Sequence, residues 1–199
     1  APTMNPLGSA GTRGLVEEWR FHMHYHYEWG DFGSSPAIAD LGSSVNNKGS
    51  EPDSDLEIVT GSDEWQRYFW ELGDYAPGIW RCLDSQGNLE WAKDSQSDET
   101  RGSAGIVDVN GDGNVEIVGG TTSGETLEIM TRTGQFVWTF PKPPRCGWFY
   151  YPGAPAIADL NTGIGGLEIV IANRAFGTVL AFDGDNSDGI NEGISAAGI

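Results

Sequence analysis

The chain has 199 residues, 29 of them acidic and 11 basic, for a net charge of −18. That balance argues against nucleic acid, since phosphate binding needs clustered Lys and Arg, and it suits cation binding or a surface kept soluble by self-repulsion. Only 38% of residues are hydrophobic while Gly reaches 29, as many turns between short strands would give, and no apolar run approaches the roughly 18 residues of a membrane helix.

Residues 1–13 read as a tail. The chain opens on Ala1-Pro2 with no visible signal peptide, so a processed or trimmed N-terminus is expected. "GLVEEW" at 14–19 reads as a lone strand heading a stretch to 33. "FHMHYHYEW", Phe21 to Trp29, alternates, which puts His22, His24 and His26 on one face of a strand. Imidazoles at i and i+2 can bind zinc or another transition metal. Same-face neighbours on a strand stand roughly 6.5–7 Å apart, too far for three to share one ion without a bend. The preferred reading is a solvent- or partner-facing strand, with Phe21, Met23, Tyr25 and Tyr27 on its other face.

From here one pattern recurs. "SPAIADL" at 35–41, "SAGIVDV" at 103–109 and "APAIADL" at 154–160 are followed by "LEIVTG" at 56–61, "VEIVGG" at 115–120 and "LEIVIA" at 167–172. A third strand and then a Gly-x-x-x-Trp strand follow, "GNLEW" at 87–91 and "GQFVW" at 134–138. The lone 14–19 strand is a copy of that last type. Asp40, Asp108 and Asp159 lie 68 and 51 apart, and Trp19, Trp91 and Trp138 lie 72 and 47 apart. A unit of about 50 residues with four short strands is a propeller blade. The expected units are 34–92, 102–140 and 153–199, with small first-strand residues at a crowded centre and Trp91 and Trp138 packed between blades. A plain β-sandwich is the alternative, against which the recurrence counts.

"DVNGDGNVEIV", Asp108 to Val118, carries more oxygen than turn chemistry needs. Asp108, Asn110 and Asp112 stand at positions 1, 3 and 5. Gly113 allows a sharp turn, Asn114 offers its carbonyl, and Glu116 closes the set. Calcium takes oxygen sets of this kind, at about 2.3–2.6 Å, whereas magnesium prefers a smaller shell with several waters. The alternative is an Asx-turn loop without metal. The expected role is structural: the ion ties first strand to second and neutralises carboxylates.

"GIVDVNGDGNVEIVGG" resembles the FG-GAP/VCBS repeats of integrin-α-type β-propellers, and the Gly-x-x-x-Trp strands resemble those of quinoprotein-type propellers. The resemblance spans the three units. It implies a secreted or surface propeller with calcium-loaded blade loops, used for adhesion or ligand binding. In those repeats the ninth loop residue is usually Asp, where this chain has the longer Glu116.

Weaker loops follow the same logic. Asp159 and Asn161 match positions 1 and 3, but no carboxylate follows before Glu168. Asp53, Asp55 and Glu57, at the end of the insert 42–55, are a candidate for a rebuilt site. Asp183, Asp185 and Asp188 sit in an acidic, Gly-rich tail, one residue off the usual alternation; a solvated turn is preferred there. Two aromatic segments, 64–80 and 147–153, carry Trp65, Tyr68, Trp70, Tyr75, Trp80, Trp148, Phe149, Tyr150 and Tyr151. They suit packing, a protein interface or sugar stacking. Cys82 and Cys146 fit either a disulfide in a secreted protein or two buried thiols.

No nucleophile elbow, zinc-protease motif or phosphate loop is present, although carboxylate pairs leave a glycosidase or lyase dyad open. Three blades less one strand, plus one lone strand, make an arc too short to close. The chain is then part of a longer propeller, or the lone strand of one copy completes the third blade of the next. The expectation is an all-β, propeller-type, calcium-stabilised extracellular module. It would bind a protein partner or further copies of itself, with carbohydrate as another ligand. A propeller of a polysaccharide-acting enzyme, lyase or hydrolase, is the runner-up. A quinone-cofactor enzyme would need a complete ring.

Overall fold

The computed structural model describes residues 17–21, 34–42, 55–62, 78–96, 100, 102–121, 127–140, 153–160, 166–173 and 177–184. All regular structure among them is β. Sheet I runs β1 (Ala37–Ala39), β2 (Glu57–Ser62), β3 (Ile79–Leu83) and β4 (Leu89–Asp94) in chain order. Sheet II repeats this with β5 (Ala104–Val107), β6 (Glu116–Gly120), β7 (Leu127–Thr131) and β8 (Phe136–Phe140). Sheet III has β9 (Ala156–Ala158), β10 (Glu168–Asn173) and β11 (Thr178–Asp183), again neighbour to neighbour. Every pairing is antiparallel.

The register makes the three sheets superimposable. Ile38 pairs with Ile58, Ile106 with Ile117, and Ile157 with Ile169. The third strands then bring Leu83, Met130 and Phe182 to the same row. Alternation sends neighbouring residues to opposite faces. In sheet II one face carries Ile117 and Met130, which pack with Leu41, Val59, Trp80 and Cys82 of sheet I. The other carries Val118 and Ile129, which pack with Ile169, Ile171 and Phe182 of sheet III. Sheet II is therefore covered on both sides, and its inner strands read as apolar runs instead of alternating ones.

The sheets also touch through polar contacts that recur. The Trp91 indole of β4 lies over the sheet II turn, where a Cβ on Gly134 would stand 2.8 Å from the ring. Its Nε1 donates to the Arg132 carbonyl at 3.1 Å. Trp19 treats the sheet I turn in the same way: a Cβ on Gly87 would stand 2.6 Å from its ring, and Nε1 donates to the Ser85 carbonyl at 3.2 Å. At the inner strands, Ser35 N–H donates to Ser103 Oγ at 3.0 Å, joining equivalent positions of sheets I and II. Leu167 N–H donates to the Val109 carbonyl at 3.0 Å, joining sheets II and III.

Two expectations change. Trp80 is no part of an aromatic insert; it lies on β3 and is fully buried. Residues 17–21 hold Trp19 in place but are paired as a strand with nothing among the described residues. Unit three has three strands there, in keeping with its lack of a Trp strand. Cys82 is a free buried thiol, pushed up in pKa chiefly by burial and then by Glu90; Cys146 lies outside the described residues. The side chain of Trp138, expected between sheets, does too. No helix among the described residues is long and apolar enough to cross a membrane.

Candidate metal centre

The turn between β5 and β6 is built by side chains that accept from its own backbone. Asp108 Oδ1 accepts from the amides of Gly111 at 2.8 Å and Asp112 at 3.1 Å, and Oδ2 from Gly113 at 2.9 Å. Asn110 Oδ1 accepts from the Asp112 amide at 2.9 Å. Asp112 Oδ1 accepts from the Asn114 amide at 2.8 Å and from its Nδ2 at 2.9 Å. Short Asx side chains bond the backbone two or more residues on, which is why they sit at alternate positions here. Gly113 turns with φ 89°, a conformation L side chains rarely adopt. Those bonds from Asn114 hold the Asp112 carboxyl below its ordinary pKa.

Glu116 stands differently. It is buried at the start of β6, and Oε2 accepts from the Val109 amide at 3.0 Å. Burial pushes its carboxyl up to about 7; the Val109 bond opposes this, while the charges of Asp112 and Asp108 add to it. The same device occurs in every sheet. Glu57 Oε2 accepts from the Leu41 amide at 2.5 Å, and Glu168 Oε2 from the Leu160 amide at 2.6 Å. Both are buried like Glu116. The Glu of each "EIV" strand thus grips the amide just after the loop Asp and fixes the exit from the inner strand.

The predicted oxygen set is therefore divided. Asp108, Asn110 and Asp112 share one exposed loop, and Glu116 faces it from below with one oxygen committed to the backbone. An oxygen-only set with two loop carboxylates suits a hard cation such as calcium. Among the described residues no group of three or more His, Cys, Asp or Glu side chains is gathered for a metal. Of the weaker loops, Asp159 and Asp55 are exposed, and Glu57 and Glu168 serve the backbone. Asp183 is buried directly across from Glu168. Asp53, Asn161, Asp185, Asp188, His22, His24 and His26 lie outside the described residues, as do Trp65, Tyr68, Trp70, Tyr75, Trp148, Phe149, Tyr150 and Tyr151.

One buried carboxylate escaped the sequence reading. Glu128 of β7 is fully buried and accepts from Trp80 Nε1 at 2.7 Å, Ser95 Oγ at 2.8 Å and the Gln96 amide at 2.7 Å. It clamps sheet II to sheet I, with the Trp80 ring seated against Gly119. An acidic residue on an otherwise apolar third strand, "LEIM", was the available signal.

No protein-family model matches the chain, and no curated protein does. Among solved structures the chain is similar to the V. cholerae biofilm matrix protein Bap1, with a TM-score of 0.54 and 20% identity. The match covers 78% of this chain and 24% of Bap1. At that identity the likeness concerns the fold. The chain spans about a quarter of the length of that protein.

Proposed function

We propose that the chain is an arc of a propeller, stabilised by calcium, that works outside the cell in adhesion or matrix assembly and not in catalysis. The observation that carries the role is the likeness of its fold to a biofilm matrix protein. The propeller reading is supported by equivalent sheets whose inner strands stand side by side and whose Trp side chains cover the next sheet's turn. Loop 108–116 supports the FG-GAP/VCBS assignment.

In this reading Asp108, Asn110, Asp112 and the Asn114 carbonyl would hold calcium, with the second Glu116 oxygen beneath. The ion would supply positive charge between carboxylates that otherwise repel. The chain's own part is to preset the loop through the Asx bonds and to anchor its end through Glu116 and Val109. Binding should then stabilise the fold, by about 2.7 kcal/mol when free calcium is a hundredfold above its dissociation constant.

The test is retention of the labelled chain on an extracted biofilm matrix, in calcium and in chelator, beside a calcium titration followed by thermal melting. Calcium-dependent retention supports the proposal. No retention in either buffer refutes the role, and an unmoved melting temperature refutes the metal. Release of new reducing ends or unsaturated sugars from the matrix would favour the polysaccharide-acting enzyme instead.

A further inference from the structure

We propose that Asn110 is a self-modification site: its side-chain amide is lost to attack by the Gly111 nitrogen, and Asp108 sets how slowly. This chemistry needs no metal.

The sequence supplies the reacting groups. An Asn side chain can be attacked at Cγ by the main-chain nitrogen of the residue that follows it. A side chain on that residue crowds the approach, so Gly is the follower that leaves it open. Asn-Gly occurs once in the chain, at 110–111. Asn88 and Asn114 are exposed too, but Leu89 and Val115 follow them. The balance closes with water alone. The Gly111 nitrogen forms a bond to Asn110 Cγ, and the Cγ–Nδ2 bond breaks. Ammonia leaves with the side-chain nitrogen and the proton given up by Gly111, and a five-membered imide ring remains. Water then opens the ring. Opening at Cγ gives an ordinary aspartyl link. Opening at the main-chain carbonyl carbon gives an isoaspartyl link, in which the chain runs through the side chain.

The structure supplies both access and a brake. Gly111 is exposed, and a Cβ built on it would meet nothing within 4 Å, so water reaches that side of the loop. Gly184, after Asp183, is the contrast: a Cβ there would stand 2.4 Å from the Leu167 carbonyl oxygen, which also accepts its N–H. The brake is Asp108. Gly111 N–H donates to its Oδ1 at 2.8 Å, so the attacking nitrogen is held by the proton it must give up. The carboxylate also opposes the negative charge that grows on that nitrogen. The Asn110 carboxamide is held forward, away from Gly111: Oδ1 accepts from the Asp112 amide at 2.9 Å, and Nδ2 donates to Asp112 Oδ2 at 3.4 Å. Attack requires both groups to let go. Asp108 accepts from the Asp112 and Gly113 amides as well, so its loss frees the whole turn.

The product no longer fits the loop. An isoaspartyl link adds a methylene to the main chain and takes the acceptor at 110 out of step with the Asp112 amide. Either link adds a carboxylate beside Asp108 and Asp112. The loop thus loosens with age, and the loss of ammonia makes the change run one way.

The test follows the chain in neutral buffer with chelator, by peptide mass spectrometry with chromatographic separation of aspartyl and isoaspartyl forms. The reference is a synthetic peptide of residues 107–115. The native chain should convert at Asn110 and not at Asn88 or Asn114. It should do so about 10- to 100-fold more slowly than the peptide, the rate equivalent of one hydrogen bond to a charged acceptor. Asp108→Ala, folded by far-UV dichroism, should convert at close to the peptide's rate. Should it fail to fold, Asp108→Asn, which keeps an oxygen and loses the charge, should still convert faster than the native chain. Asn110→Gln should show no product, because the longer side chain would need a larger ring. A native chain without product at 110, by the time a reaction at the slow end of that range would show it, overturns the site. A native chain as fast as the peptide overturns the brake, and a folded Asp108 variant no faster than the native chain overturns the part given to Asp108.

Discussion

Glu128 offers the sharpest test of how the sheets are joined. Its carboxylate is fully buried and receives Trp80 and Gln96 N–H groups and the Ser95 hydroxyl. In Glu128→Gln one oxygen becomes an NH2 group. If the amide oxygen serves Ser95 and Gln96, the NH2 opposes the Trp80 N–H; turned over, it opposes the Gln96 N–H, although Ser95 can rotate to accept. Either way one buried N–H loses its acceptor, which costs about 1–3 kcal/mol. Glu128→Ala strands all three donors and leaves a cavity, and at about 1–3 kcal/mol for each buried donor left unmet, with the Ser95 hydroxyl able to turn away, the loss comes to about 3–5 kcal/mol. At roughly 2–4 °C per kcal/mol for a chain of this size, the Gln variant should melt about 2–12 °C lower and the Ala variant about 6–20 °C lower. Urea unfolding by far-UV dichroism and thermal melting measure both, with exposed Gln135→Glu as the neutral control. A Gln variant within about 0.5 kcal/mol of native, the range of surface substitutions, would refute the clamp.

A second prediction concerns pH. Glu116 is raised from 4.5 to about 7, so the folded chain keeps a proton that the unfolded chain releases. Its contribution is favourable below about pH 4.5 and is lost as pH rises through 7, by up to about 3 kcal/mol. In chelator, urea midpoints should fall across that window; Glu116→Gln should flatten the slope, and a calcium-loaded native chain should show little of it. Gly119→Ala places a methyl group inside the Trp80 ring, which is buried and held by Glu128. Overpacking of that kind costs about 1–3 kcal/mol, read as a lower melting temperature. Trp91→Phe keeps the cover over Gly134 but loses the bond to Arg132, for about 1 kcal/mol. Trp91→Ala loses both, for about 3 kcal/mol; equal urea midpoints for the two variants would refute the docking role.

The loop at 108–116 was legible because Asx turns are local: each side chain bonds a backbone group two to five residues away, so spacing alone specifies them. The repeat was legible because three copies of one strand pattern, with Asp, Ile and Glu at fixed offsets, imply one register. Glu116 was only half legible. The sequence reads it as a ligand, but burial beneath the loop gives one of its oxygens to Val109, as Glu57 and Glu168 give theirs to Leu41 and Leu160. Trp80 was misplaced because an aromatic run continues through it, and nothing local marks where an insert ends and β3 begins.

By itself, then, the sequence determined the class, the repeat, the strand register and the turn chemistry, all of which follow from contacts within one unit. Only the tertiary structure decided what joins one unit to the next. The Glu128 acceptor and its Trp80 donor are 48 residues apart, Trp91 covers a turn in another sheet, and the exposure of Leu160 has meaning only beside buried Leu41 and Val109. Burial belongs to the packed sheets and not to a residue. The apolar residue after the loop Asp reads the same in all three copies of the pattern until the neighbour that covers it, or fails to, is in place.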